Sequence, residues 1–131
     1  MDISQFFLDE LTALAKTSPR LRQNYDLRNS AEDLSQRALN AMEPGTVVPI
    51  HRHQKSSETV VCLRGRLKEF FFDDQGHLTQ EYVLAPNSTT IGLNIPAGQW
   101  HTVEVLESGT IILECKDGKY EPLGEEDILT I

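Results

Sequence analysis

The sequence predicts a mainly β protein, a closed antiparallel barrel or jelly roll with a short N-terminal helical segment. From residue 46 onward, short runs rich in β-branched and aromatic residues are separated by turn signals at close spacing. Before residue 44, apolar residues recur mostly at helical spacing. The chain has 131 residues, the size of one structural domain.

Residues 1–43 are expected to form helices and an edge strand that pack on the barrel. An apolar stripe predicts a first helix over about 4–16, and partial alternation predicts an extended piece over 21–28. A second short helix is expected after Ser30, where Asp33 resembles a capping-box partner. The inner face of this second helix would carry Leu34, Ala38 and Ala41.

Residues 44–131 are expected to form the barrel and an irregular C-terminal tail. The short spacing between turns favours antiparallel strands over parallel ones joined by helices. The tail is acidic and is expected to be a solvated surface. Strands are predicted at 47–48, 59–63, 67–72, 78–84, 89–93, 101–106 and 110–115.

Charge and composition exclude several classes of partner. The chain carries 20 acidic against 12 basic residues, a net charge of −8, which argues against nucleic acid and anionic membrane surfaces. No apolar run approaches the ~18 residues that a membrane span needs. The N-terminus carries acids where a signal peptide carries bases, so we expect a cytoplasmic protein. Cys62 and Cys115 are expected to be reduced and buried.

Four residues from three stretches of the chain form a candidate metal site. His51 and His53 are two apart, so on a strand both imidazoles project to the same face. Glu58 would return at the start of the next strand, and His101 follows a Pro-Ala-Gly turn much later. Three imidazoles and one carboxylate suit a single divalent ion, which could be Zn, Fe, Ni, Mn or Co, with a position left open to water.

The spacing of these residues resembles the two signatures of the cupin superfamily, whose fold is a double-stranded β-helix or jelly-roll barrel. The first signature is matched at every fixed position, and the second at its core. Thr90 and Val105 depart from the second signature, at positions that do not supply metal ligands. The matching stretches are Gly45-x5-His51-x-His53-x4-Glu58-x6-Gly65 and Pro96-x-Gly98-x2-His101.

A finer resemblance, to the WbuC family of small cupin-fold metalloproteins, covers the chain up to about Tyr120. It implies a metal site and an association with bacterial polysaccharide biosynthesis, but no particular reaction. The tail diverges from the family pattern, with Gly118-Lys119-Tyr120 where Gly-Pro-Tyr is usual. The resemblance rests on Pro19-Arg20-Leu21-Arg22, Asn24-Tyr25-Asp26-Leu27, Gln36-Arg37, Gly45-Thr46, Leu63-Arg64-Gly65-Arg66-Leu67, Phe72-Asp73-Asp74-Gln75-Gly76 and Trp100-His101-Thr102-Val103.

Five further residues are candidates for substrate binding. Arg64 and Arg66 could clamp an anion at the pocket mouth, or form surface ion pairs with the many carboxylates. Trp100 could stack on a substrate or pack under the barrel rim. Tyr25 could reach the mouth from the N-terminal strand. If alternation continues along the strand from Glu58, Cys62 faces the interior and could approach the metal.

The residues leave the function open between two classes. A metal-dependent enzyme would act on a small oxygenated molecule, such as a sugar or sugar nucleotide, by isomerisation, epimerisation or oxidation by O₂ as in a cupin dioxygenase. A non-catalytic module would use the metal only to hold a small ligand such as an anion or a carbohydrate. Few groups other than the ligands are placed to move protons. A homodimer is expected, because small barrels expose sheet edges.

Overall fold

The computed structural model describes residues 1–130; Ile131, the last residue of the predicted tail, lies outside them. The described chain contains one α-helix, ten strands and one 3₁₀ turn at Glu125–Asp127. No helix in residues 1–130 combines the length and the apolar character that a membrane crossing requires. The elements are α1 (Gln5–Thr17), β1 (Arg22–Asp26), β2 (Ser35–Met42), β3 (Ile50–His51), β4 (Glu58–Arg64), β5 (Leu67–Phe72), β6 (Leu78–Leu84), β7 (Gly92–Ile95), β8 (Trp100–Val105), β9 (Thr110–Asp117) and β10 (Ile128–Leu129).

The strands form two antiparallel sheets of five strands each, in the orders β1-β2-β9-β4-β7 and β10-β3-β8-β5-β6. We call them sheet A and sheet B. One apolar cluster joins their inner faces, since it contains Val60 and Ile112 of sheet A beside Leu67 and Val105 of sheet B. The sheets therefore enclose a common core, and the predicted mainly β jelly-roll class is confirmed.

Helix α1 covers the outer face of sheet A. The side chain of Ser4 caps the helix by accepting a hydrogen bond from the backbone N–H of Phe7 at 3.2 Å. The buried stripe Leu8, Leu11 and Ala15 packs on the strands below. The first helix is thus confirmed, one residue later at each end than predicted.

The second predicted helix is wrong, because this part of the chain forms β2. Strand β2 pairs along its length with β9 and, over Ala38–Met42, with β1. Leu39 and Ala41 point to α1 and are fully buried, while Asn40 lies opposite, towards the space between the sheets. Pairing on both sides overrides the helical propensity of the two alanines.

The tail is also more ordered than predicted. After the 3₁₀ turn, β10 pairs with β3, and Ile128 lies opposite His51. Asp127 fixes this arrangement, because its side chain accepts hydrogen bonds from Gln54 at 2.6 Å and from Arg52 at 3.3 Å. The end of the described chain therefore closes the outer edge of β3.

Gly65 is required at the β4–β5 turn for steric reasons. It has a φ of +82°, and a Cβ placed there would lie 2.6 Å from the backbone Cα of Thr110, a residue with no exposed surface. Gly98 has a similar φ of +84°, but a Cβ there meets nothing within 4 Å. Any other residue would therefore be strained by the positive φ at both positions, but only at position 65 would its Cβ also clash with a neighbour.

We predict that Gly65→Ala lowers the free energy of unfolding by about 2–6 kcal/mol, since positive-φ strain and an overpacked contact each cost about 1–3 kcal/mol. Gly98→Ala introduces only the positive-φ strain and should lower the free energy of unfolding by about 1 kcal/mol, at the low end of that range. Urea unfolding of the metal-free chain measures both. Equal losses in the two variants would contradict the steric explanation.

Candidate metal centre

The four predicted ligands come from both sheets and meet between them. His51 on β3 lies directly opposite His101 on β8, so their side chains are neighbours across the strand pair. His53 follows β3, and its backbone carbonyl accepts a hydrogen bond from the N–H of Gly98 at 2.9 Å. Glu58, the first residue of β4, faces them from sheet A.

The ligand atoms lie within coordination reach of one another. One nitrogen from each of His51, His53 and His101 falls within 4.8 Å of the others. Oε2 of Glu58 lies 3.5 Å from Nε2 of His53 and 3.5 Å from Nε2 of His101. The structure thus brings together all four residues that the spacing selected.

Backbone carbonyls orient two of the imidazoles. Nδ1 of His51 lies 2.8 Å from the carbonyl oxygen of Pro49, and Nδ1 of His101 lies 2.9 Å from that of Gln99. A carbonyl only accepts, so each Nδ1 carries the proton and each neutral ring keeps a lone pair on Nε2. This is the usual arrangement behind a metal-binding histidine.

The protonation states suit a cation. Burial, followed by the nearby imidazole of His101, lowers the pKa of His51 to about 4. Burial, followed by the charge of Lys116, lowers the pKa of His53 to about 4. Both rings are therefore neutral near pH 7. Burial alone would raise the pKa of Glu58, but the adjacent imidazole of His101 and the positive charge of Lys116 outweigh it and lower that pKa. His51 and His53 thus present neutral nitrogens beside a carboxylate.

Two buried atoms of the site lack partners. Nε2 of His53 and Oε2 of Glu58 are buried and have no hydrogen-bond partner in residues 1–130. Leaving such atoms unsatisfied costs about 1–3 kcal/mol each, so a group that satisfies them stabilises the fold. Nitrogen and carboxylate donors around one point are the ligands of a divalent transition ion. These residues therefore fit the metal that the sequence pattern implies.

A cavity of about 140 Å³ lies beside the ligands, between the sheets. His51, Glu58 and His101 border it, together with Glu69 of β5 and Glu114 of β9. We call it the inner cavity. Its remaining lining consists of Arg22, Asn40, Met42, Val48, Val103 and Ile112.

The two additional carboxyls of the inner cavity, Glu69 and Glu114, have raised pKa values. Burial, then the negative charge of Glu58, raises the pKa of Glu69 well above its usual value and the pKa of Glu114 to about 7. Oε2 of Glu69 is buried without a partner in residues 1–130. Oε1 of Glu114 accepts a hydrogen bond from Asn40 at 2.9 Å.

Sequence reasoning missed both carboxyls, although a signal exists. Each is an acid within an apolar strand, in Leu67-Lys68-Glu69-Phe70 and in Ile111-Ile112-Leu113-Glu114. The alternation that places Leu67 and Phe71 in the core places Glu69 there as well. A buried acid on a core-facing position is a candidate functional group.

A wider pocket of about 920 Å³ opens from the metal centre to solvent. His51 and His53 lie on its wall, and the tail supplies much of its rim from Gly118 to Asp127. We call it the outer pocket. Its volume lies in the range of small-molecule sites, about 300–1,000 Å³.

Arg64 and Arg66 lie away from both cavities. Strict alternation from Glu58 would turn Arg64 inward, but a β-bulge between Cys62 and Arg64 breaks that alternation. Its guanidinium instead binds helix α1, with Nη1 2.8 Å from Asp9 and Nη2 3.0 Å from Thr12. Arg66 is exposed and lies 3.6 Å from Glu107. Neither position supports the anion clamp.

The remaining candidates also lie outside the cavities described above. Tyr25 packs edge-on against Phe7 at 5.0 Å between ring centroids. Trp100 is buried and donates from Nε1 to Asp74 at 2.9 Å. Cys62 is a free, buried thiol whose pKa burial raises to about 11, so it packs as a thiol.

Comparison with known proteins extends these observations. A family model described as "Domain of unknown function (DUF6016)" matches residues 3–84. No curated protein matches the sequence.

Solved structures with a similar fold are cupins. They include KdgF from Halomonas sp. (12% identity, TM-score 0.63, 79% of this chain and 85% of that one). Another is the capsular polysaccharide assembling protein CapF from Staphylococcus aureus (19% identity, TM-score 0.67, covering 81% of this chain and 28% of that one). A third is the oxalate decarboxylase of Bacillus subtilis, described with Mn(II) centres (16% identity, TM-score 0.59, covering 84% of this chain and 28% of that one). The match thus spans under a third of the length of CapF and of the oxalate decarboxylase. Identities this low establish the cupin fold alone.

We predict that Glu69→Gln becomes progressively more stable than the parent chain as pH rises from about 5 to 8. The unfolded chain releases the Glu69 proton near pH 4.5, whereas the folded chain retains it to higher pH. Folding therefore takes up a proton in this range, and the parent loses stability by at most about 1.4 kcal/mol per pH unit.

Urea unfolding of metal-free protein at several pH values measures the difference between the two chains. The exposed Glu104 gives a matched control, because Glu104→Gln removes a carboxyl from the solvent side of β8. Parallel pH curves for Glu69→Gln and the parent would show that Glu69 is ionised in the fold.

Proposed function

We propose that this chain, which belongs to the family described as a domain of unknown function (DUF6016), is a metal-dependent enzyme acting on a small oxygenated substrate such as a sugar or sugar nucleotide. The observation that carries the proposal is the convergence of three imidazoles and Glu58 between the sheets, with His51 and His53 on the wall of an accessible pocket and two of the converging atoms left unsatisfied. His51, His53, Glu58 and His101 would hold the ion.

The surrounding residues suit an ion with an accessible face. A divalent ion held there supplies a Lewis acid that polarises a carbonyl or hydroxyl oxygen of the substrate. The ligand histidines line the outer pocket or the inner cavity, so a substrate oxygen can approach from either. The apolar side chains Val48, Val103 and Ile112 limit water in the inner cavity and strengthen electrostatic effects there.

Glu69 is the candidate for proton transfer. Its carboxyl borders the same inner cavity as Glu58 and His101, and its Oε2 is not engaged by any residue of 1–130. It comes from the opposite sheet to Glu58, so it is held independently of that ligand. Such a group is what an isomerisation or epimerisation needs beyond the ligands, and it supports an enzyme over a purely binding module.

Two likenesses support an oxygenated, sugar-like substrate. The fold is shared with CapF, described as a capsular polysaccharide assembling protein. The resemblance to the WbuC family points to the same area of metabolism. Polysaccharide biosynthesis, the WbuC assignment, the cytoplasmic location and the homodimer remain predictions.

Metal content tests the centre. We predict one divalent ion per chain in the purified protein, measured by elemental analysis, and a more than 100-fold weaker affinity in His101→Gln, since changes even to groups behind the ligands cost about 10–100-fold. The exposed His77 provides the control, because it lies on a turn and contacts Asp73. The idea fails if His77→Gln and His101→Gln bind metal equally well.

Turnover tests catalysis. The metal-loaded chain is screened against sugar nucleotides and free sugars for isomerised or epimerised products, with O₂ uptake recorded in parallel. Any activity found should fall by about 10²–10⁴-fold in Glu69→Gln while one equivalent of metal is kept. O₂ uptake with bound iron would identify a dioxygenase instead. Full metal loading and ligand binding without turnover would identify the non-catalytic module.

A further inference from the structure

Arg22 on β1 stands at the junction of the two cavities. Only Arg22, Val48 and His51 border both the inner cavity and the outer pocket within the described chain. A molecule that extends from the outer pocket into the inner cavity therefore lies beside Arg22. The position was not selected from the sequence, because β1 was expected only to cover a sheet edge.

Arg22 is a cation without a partner in residues 1–130. Its Nε is buried and has no hydrogen-bond acceptor there. The lysines of the outer pocket, in contrast, each lie near a carboxylate, at 3.6 Å for Lys55 and Glu121, 3.9 Å for Lys116 and Glu114, and 2.8 Å for Lys119 and Glu32. Arg22 forms no such pair with the described residues, although acids outnumber bases 20 to 12.

Arg22 is half-buried, and its buried Nε–H without an acceptor is energetically unfavourable. Burial, followed by the charge of Arg20, lowers the pKa of Arg22, which reflects the same cost. The planar donor fork of arginine matches a carboxylate or a phosphate. An anionic group at this junction would supply the missing acceptor.

We propose that the molecule bound at the metal centre is an oxygenated anion whose carboxylate or phosphate is held by Arg22 at the mouth of the inner cavity. This inference rests on the proposed function and names the class of its substrate. The oxygenated end would lie in the inner cavity beside His51, Glu58 and His101, and the remainder would occupy the outer pocket. Arg22 would bind and position the substrate without taking part in bond changes.

The test compares sugars that differ in charge. Zinc-loaded protein is titrated by calorimetry with D-glucuronate, D-glucose 6-phosphate and neutral D-glucose at constant ionic strength. We expect at least one charged sugar to bind about tenfold or more tightly than glucose. Arg22→Gln should weaken that binding by about 10–100-fold without changing glucose binding or zinc content, since hydrogen bonds to charged groups are worth that much.

Two further variants define the contact. Arg20→Gln removes the same charge two residues away, from an exposed side chain outside both cavities, and should bind all three sugars as the parent does. Arg22→Lys keeps the charge without the fork and should recover only part of the affinity. The two charged sugars show whether the carboxylate or the phosphate is preferred.

A measurement on metal-free protein separates this inference from the metal centre. The ¹⁵N–¹H signal of Arg22 Nε should shift on titration with inorganic phosphate, and this shift needs no zinc. Failure to bind zinc with a retained phosphate shift would sink the proposed function and leave the anion site standing.

The opposite results overturn the anion site. These are full zinc loading with charged-sugar affinity unchanged in Arg22→Gln, or no binding of charged sugars together with no phosphate shift. If Arg22→Gln lowered the free energy of unfolding but left the binding of every sugar unchanged, Arg22 would only offset the negative charge of the cavity carboxyls.

Discussion

The pairing of β3 with β8 is the contact on which the rest of the site depends. Strand β3 has only two residues, yet its pairing sets His51 opposite His101 and starts the loop that carries His53. The hydrogen bond from Gly98 to His53 holds that loop against the turn before β8. Glu58 then needs only to face this group from the other sheet. Backbone pairing thus fixes the ligand geometry before any ion binds.

The interior of this small barrel is unusually rich in carboxyls. Glu58, Glu69 and Glu114 share one cavity, and the charge of Glu58 raises the cost of ionising the other two. Asn40 and the charge of Lys116 offset part of that cost. Evenly apolar side chains would pack here at lower cost, so the carboxyls are best explained by chemistry at the site.

Patterns that repeat along the sequence could be predicted, whereas features set by distant partners could not. The alternation of Leu67–Phe72 and the ligand spacing directly specify a strand and a metal site. The segment Ser35–Met42 has helical residues and becomes a strand only because β1 and β9 flank it. Arg64 turns outward because of one bulge, which no composition signal marks. Glu69 was missed although the alternation of its own strand marks it as core-facing, whereas Arg22 was missed because its surroundings come from other parts of the chain.

The C-terminal tail gives the outer pocket a rim that is structurally separate from the ligands. Residues from Gly118 to Asp127 wall the opening, while none of them supplies a predicted ligand. They are attached to sheet B through β10 and to sheet A through the hydrogen bond that Gln36 donates to the carbonyl oxygen of Gly118. Substitutions or insertions in this rim can therefore alter which molecules are admitted while the chemistry inside is preserved. Under the proposed function, the residues that select the substrate and those that hold the metal would be encoded in different stretches of the gene and could evolve at different rates.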